Sequence, residues 1–134
     1  MARMIFPNLP VKDVAASTAF YEALGFTKNA QFSDERTASM VVDEHIVIML
    51  LEESRWKEFT SKAIPDARTT AEVMLAFSAE SKDEVNDLYA RGLAAGGSEG
   101  GAPQDHGFMM SKSLQDPDGH TIEFVWMDPA AIQG

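Results

Sequence analysis

The chain has no cysteine. Disulfides, thiolate nucleophiles and cysteine-ligated zinc are excluded at once, and the absence fits an expected cytoplasmic location. There is no apolar run near the 18 or so residues of a membrane span. The apolar stretch within Met1 to Pro7 is too short and too interrupted for a secretory leader. Positive charge is also scarce. Eleven Lys and Arg stand against 21 Asp and Glu, for a formal net charge of −10. Nucleic acids and anionic membranes both require a basic face, so neither is expected as a partner, whereas a cationic ligand is compatible with this balance. Glycines cluster at Gly96, Gly97, Gly100 and Gly101. No G-x-x-x-x-G-K-[ST] and no strand–GxGxxG–helix context accompanies them, so they do not read as a phosphate-binding loop.

At 134 residues the chain is one domain of ordinary size, or two small modules sharing a core. Eight methionines are present. Methionine is soft and adaptable, and it serves either as a filler of core gaps or as a surface for varied apolar ligands.

In chain order, residues 3–11 read as a strand, and Pro7 and Pro10 make it either an edge strand or a short one. Asp13 is an N-cap for a helix to Leu24 with Phe20 and Tyr21 at core spacing, and Gly25 stops it. Strands are expected over 26–32, 37–42 and 45–51. Residues 53–71 read as a connector with a helical piece near Trp56 and Phe59. A strand over 72–79 follows. A capping box of Ser81 and Glu84 then opens a second helix, on which Asp87 and Arg91 form an i,i+4 pair. Strands over 106–115 and 121–126 complete the chain.

Between the last two strands lies Asp116-Pro117-Asp118-Gly119, a tight reversal built from turn-forming side chains and a glycine free to take φ > 0. Beyond it Ile122, Phe124 and Trp126 alternate with Thr121, Glu123 and Val125, as a strand with one packed face requires. The halves repeat. An offset of 68 residues lays Asp13 on Ser81, Phe20 on Leu88, Tyr21 on Tyr89 and Phe6 on Met74, and a slightly larger offset lays Met49 on Glu123. Phe6, Met49, Met74 and Glu123 are thus four corresponding strand positions. Asn8 shares the face of Phe6, and Glu72 that of Met74. The expected fold is α+β: two βαβββ modules, about 1–52 and 72–134, forming curved mixed sheets around a concave site with helices outside.

The combination of FPNLPVKD, a helix ending FYEALGF, a second β-α unit and QDPDGHTIEF resembles the vicinal oxygen chelate superfamily, which includes glyoxalase I, extradiol dioxygenases, fosfomycin resistance enzymes and bleomycin-binding proteins. The resemblance covers essentially the whole chain. It implies paired βαβββ modules, a homodimer, and in the metalloenzymes two inward ligands per module, one from its first strand and one from its last. The positions here that match those ligands are Phe6, Met49, Met74 and Glu123. Only Glu123 suits a hard divalent cation, which wants three or more N or O ligands. No metal and no other cofactor is therefore expected. A rescued site of Asn8, Glu72 and Glu123 is the alternative.

In an apolar cavity, desolvation disfavours the charged form of a carboxylate. Glu123 could then act as a general base or acid, or as the polar anchor of an apolar pocket. The expected ligand-binding set is Phe6, Asn8, Met49, Glu72, Met74, His106 and Glu123, with Glu123 the one catalytic candidate. Proton transfer beside a carbonyl also needs an electrophile for the enolate, and the cationic candidates are Lys112 and Arg3. Three readings stand. The first is metal-independent binding of a small, partly apolar molecule. The second is a lactoylglutathione lyase-like lyase or isomerase with an atypical site. The third is a non-catalytic dimeric scaffold.

Overall fold

The computed structural model describes residues 2–131. The chain is α+β and divides into two compact units, Met1–Pro65 and Asp66–Gly134, each holding one mixed sheet. Among the described residues no helix is long and apolar enough to cross a membrane.

The first unit contains β1 (Asn8–Val11), α1 (Val14–Ala23), β2 (Thr27–Lys28), β3 (Thr37–Asp43), β4 (Ile46–Glu52) and the short α2 (Glu53–Trp56). Its sheet order is β1-β4-β3-β2, with β1 parallel to β4 and the other pairs antiparallel. The proline-bearing β1 lies at the edge, where the N–H that Pro10 lacks costs no ladder bond. It is shorter than the expected 3–11. Pairing before Asn8 is reduced to an isolated bridge between Ile5 and Ile46 and a bond from the Met49 N–H to the Pro7 carbonyl at 2.8 Å. The strand expected over 26–32 is mostly absent. After Lys28 the Asn29 side chain accepts the Gln31 N–H at 3.1 Å, and Ala30–Phe32 coil into a 3₁₀ turn. An Asn offering its carbonyl to the backbone two residues on competes successfully with the ladder there.

Helix α1 begins as expected, with the Asp13 carboxylate accepting the Ala16 N–H at 3.1 Å. Leu9, Val11, Ala38, Met40, Ile48 and Leu50 share one face of the sheet, and with Phe20, Tyr21 and Leu24 they form the buried core of this unit. Fully burying side chains of this size contributes about 1.5–3 kcal/mol each.

The second unit contains β5 (Met74–Ser78), α3 (Lys82–Ala94), β6 (Ser98–Glu99), β7 (Gln104–Asp105), β8 (Met109–Gln115) and β9 (Thr121–Met127). The order is β5-β9-β8-β6, with β7 also on β8 and β5 parallel to β9. Half of the capping box is formed, with Ser81 Oγ accepting the Glu84 N–H at 3.1 Å, while the Glu84 carboxylate reaches one residue further back and accepts the Glu80 N–H at 3.1 Å. Asp87 and Arg91 pair at 2.8 Å. Ile122, Phe124 and Leu114 are buried on the face that α3 covers.

The turn before β9 is organised by Asp116, whose side chain is almost wholly buried at 1% exposure. Its Oδ1 accepts the N–H groups of Asp118 at 3.0 Å and His120 at 2.9 Å, and its carbonyl accepts that of Gly119 at 2.9 Å. Gly119 takes φ +97°, and a Cβ there would meet Arg68 backbone nitrogen at 2.9 Å. Glycine is required by conformation and by space.

The internal repeat is legible in the register. Asn8 pairs with Met49 in the first parallel ladder, and Ala76, its counterpart, pairs with Glu123 in the second. The antiparallel ladders agree, with Ser39 opposite Met49 and Ser113 opposite Glu123.

Candidate functional site

In each sheet one face carries the helix and the other does not. Partners directly opposite in a ladder point to the same side, so the helix-free face of the second unit can be listed from its register. It consists of Met74, Ala76 and Ser78 from β5, Thr121, Glu123, Val125 and Met127 from β9, and Met109, Ser111, Ser113 and Gln115 from β8. Met74 is 66% exposed, Ala76 and Ser78 are exposed, and Glu123 is half-buried between Ala76 and Ser113. The equivalent face of the first unit is built differently. Met49 is half-buried there, and Thr37, Ser39, Val47 and Leu51 around it are buried.

Among the described residues no hydrogen bond or ion pair reaches the Glu123 carboxylate. The second unit is the acidic part of the chain, with four basic against twelve acidic side chains, a net of −8 out of −10. Its four cations are all occupied elsewhere. Arg68 donates to the Pro117 carbonyl, Lys82 pairs with Asp105 at 2.9 Å, Arg91 pairs with Asp87, and Lys112 lies 5.1 Å from the centre of the Tyr89 ring. Lys112, expected as a possible electrophile beside Glu123, is instead opposite Phe124 and stacks under α3. The β8–β9 register puts it on the opposite face.

Ser113 is the nearest polar neighbour in the ladder, and sequence reasoning passed over it. Its Oγ accepts the Gly101 N–H at 2.8 Å, and its carbonyl accepts the Gly100 N–H at 3.1 Å. The glycine-rich passage therefore closes on Ser113. At Gly100 an added Cβ would lie 2.6 Å from Ser113 Oγ and 2.8 Å from its backbone carbon and oxygen, so no side chain fits. The missed signal was the repeat itself, which pairs Ser113 with Ser39 once Met49 is laid on Glu123.

The other expected site residues are divided between the two units. Phe6, Asn8 and Met49 belong to the first unit. Phe6 is half-exposed, and the Asn8 amide is turned back onto the Phe6 carbonyl at 2.7 Å. Glu72 lies in a bend before β5, exposed, so the strand parity assumed for it does not apply. His106 does not open a strand. It sits exposed in the reversal between β7 and β8, where Gly107 takes φ +80°. Its Nε2 is 3.2 Å from Gln104 Oε1, and its ring stacks on Phe108 at 6.3 Å. Its N–H bonds the Met109 carbonyl, and Met109 is opposite Met127. That is four residues along β9 from Glu123, or about 13 Å at a strand's rise.

Near that reversal Asp105 is held below the usual carboxylate range, first by the Gly107 N–H and then by Lys82. Glu58 is likewise lowered by Arg36 and Arg55, and Glu52 by Ser54. All three are surface groups of local structural use. Among the described residues no group of three or more His, Cys, Asp or Glu is placed to share an ion. Phe6, Met49, Met74 and Glu123 offer one oxygen ligand residue between them, a set that does not fit a hard divalent cation.

The sequence matches the family model of the Glyoxalase/Bleomycin resistance protein/Dioxygenase superfamily over residues 3–124. No curated protein matches it. Among solved structures, a hypothetical protein from S. aureus is similar at 24% identity and TM-score 0.79, covering 94% of both chains. A glyoxalase/bleomycin resistance protein/dioxygenase family enzyme from Burkholderia phytofirmans is similar at 18% identity and TM-score 0.76, covering 94% of this chain and 99% of its own. The fosfomycin resistance protein FosX from Listeria monocytogenes is similar at 19% identity and TM-score 0.68, covering 97% of each. At these identities the likeness is one of fold.

Proposed function

Because the chain belongs to the Glyoxalase/Bleomycin resistance protein/Dioxygenase superfamily, and because one fold hosts many functions so that function must be argued from the site, we propose that it binds a small, partly apolar molecule without a metal, at the helix-free face of its second unit. The observation that carries this reading is Glu123: a half-buried carboxylate with no partner among the described residues, flanked on its own face by Met74, Ala76, Val125 and Met127. Small-molecule sites are mostly apolar with a few placed polar groups, and methionine adapts to ligands of varied shape. The lyase or isomerase reading needs an electrophile beside the carboxylate. Lys112 does not supply one, since it is opposite Phe124 and engaged with Tyr89.

The test uses protein purified without added metal. Elemental analysis after dialysis is expected to find no stoichiometric metal. Thermal shift with Ni, Zn, Mn and Mg is expected to be flat, and the neutral dye Nile red is expected to bind saturably in chelator. Met74→Asp, which puts a charge on this exposed face, should weaken dye binding while leaving the melting temperature unchanged. A metal that survives dialysis and is lost in Glu123→Gln overturns the reading. Absence of saturable dye binding hands the case to the scaffold.

A further inference from the structure

The geometry points to a ligand class for this face: an organic cation, ammonium or guanidinium, with an apolar body and a hydrogen-bond acceptor two carbons beyond the charged nitrogen, the cation held by Glu123 and the acceptor by the Ser113 hydroxyl. This rests on the binding function proposed above and narrows it.

Charge supplies the first half of the argument. The second unit carries a net −8, and its four cations are tied to Pro117, Asp105, Asp87 and the Tyr89 ring. A half-buried carboxylate that is left without a counter-charge inside an acidic unit is complementary to a cation from outside. The surrounding methionines and Val125 receive the apolar body. Methyl and methylene groups next to a cationic nitrogen pack well against thioethers, so neither part of the ligand is mismatched.

Ser113 supplies the second half. A hydroxyl has one proton to give and lone pairs to accept with. The Gly101 N–H at 2.8 Å uses Ser113 Oγ as an acceptor, and no acceptor for the hydroxyl proton is found among the described residues. The proton is therefore free to be donated on the same side of the sheet as Glu123, its direct ladder partner. Opposed Cβ atoms in such a pair are about 4.5–5.5 Å apart, which sets the spacing between the two groups that a ligand must match. Gly100 makes this possible, because any side chain there would overlap both Ser113 Oγ and the Ser113 backbone. Ser113 is thus a specificity-determining residue, and the two glycines hold it in its acceptor role toward the backbone so that its proton faces outward.

The proposal is tested by calorimetric titration of the full-length protein, in chelator at neutral pH, with three matched probes. Phenoxyethylamine has the ring, the ether acceptor and the cation. Phenylpropylamine lacks the acceptor, and phenoxyethanol lacks the charge. The expected order of affinity is phenoxyethylamine, phenylpropylamine, phenoxyethanol, with the amines weakening as salt rises and the alcohol unaffected. Glu123→Gln should cost the amines about tenfold and the alcohol little, as expected for loss of a charged hydrogen-bond partner. Ser113→Ala should lower only phenoxyethylamine, bringing it level with phenylpropylamine. Near-UV circular dichroism and melting temperature confirm that each variant is folded. Equal binding of the amines and the alcohol, indifferent to Glu123→Gln, overturns the cation assignment while leaving the binding function standing. An equal effect of Ser113→Ala on both amines overturns the role of Ser113. No saturable binding of any probe overturns the binding function on which both rest.

Discussion

Replacing Gly100 with alanine is the sharpest single perturbation of the region that supports the site. The added methyl would come within 2.6 Å of Ser113 Oγ and 2.8 Å of the Ser113 carbonyl carbon and oxygen. The serine side chain could rotate away, at the loss of the bond it accepts from Gly101. The backbone cannot do the same, because Ser113 lies in β8, paired to β9 on one side and to β6 and β7 on the other. Relief must come from displacement of the glycine-rich passage. Overpacking of this kind costs about 1–3 kcal/mol. Loss of the bond from the Gly100 N–H to the Ser113 carbonyl adds roughly 1 kcal/mol. A destabilisation of about 3 kcal/mol follows, enough to lower the melting temperature by roughly 10 °C in a domain of this size.

Gly101→Ala is the control. Its Cβ would sit 3.6 Å from Ser113 Oγ, an ordinary contact, so it should stay within about 0.5 kcal/mol of the parent. The assay is urea unfolding followed by tryptophan fluorescence in a Trp56→Phe background, which leaves Trp126, in the second unit, as the reporter. Gly100→Ala unfolding within 0.5 kcal/mol of the parent, or Gly101→Ala falling as far as Gly100→Ala, would refute the steric reasoning.

Two further expectations concern neighbouring structure. Asp116→Ala strips the acceptor from the N–H groups of Asp118 and His120 in a buried turn, and should cost about 2–4 kcal/mol. Asp116→Asn keeps an oxygen for both and should cost about 1 kcal/mol, so chemical denaturation that ranks the two alike would count against the turn's dependence on this side chain. Asp105 has its acidity raised in the folded state by the Gly107 N–H and Lys82. Its contribution is therefore fully present above the ordinary value of 3.8 and is lost as pH falls through the lower folded value. Thermal melts between pH 5 and 2.5 should fall less steeply for Asp105→Asn than for the parent, and parallel curves would remove Asp105 from the account.

Much of this was written in the residues. Turn and cap chemistry is local: Asp13, Ser81, Glu84, Gly25 and the Asp116–Gly119 reversal act within a few residues of themselves, so their roles follow from type and spacing. The two-fold repeat was also legible, since both halves must satisfy the same packing around their helices. It carried far enough to lay Met49 on Glu123, a correspondence that both ladders share. Short strands were not legible. Residues 26–32 and 106–108 have strand-like composition, but Asn29 and Gly107 offer the backbone better local bonds.

The sequence by itself determined the class of fold, the acidic balance, the absence of thiol chemistry and the isolation of one carboxylate among four equivalent positions. These depend on residue identity and period alone. Only the tertiary structure decided what surrounds that carboxylate. Which side chain stands across a ladder is a matter of register between strands distant in the chain, so it took folding to put Ser113 beside Glu123. The same register turned Lys112 to the opposite face, brought Gly100 and Gly101 down onto the serine, and carried His106 away.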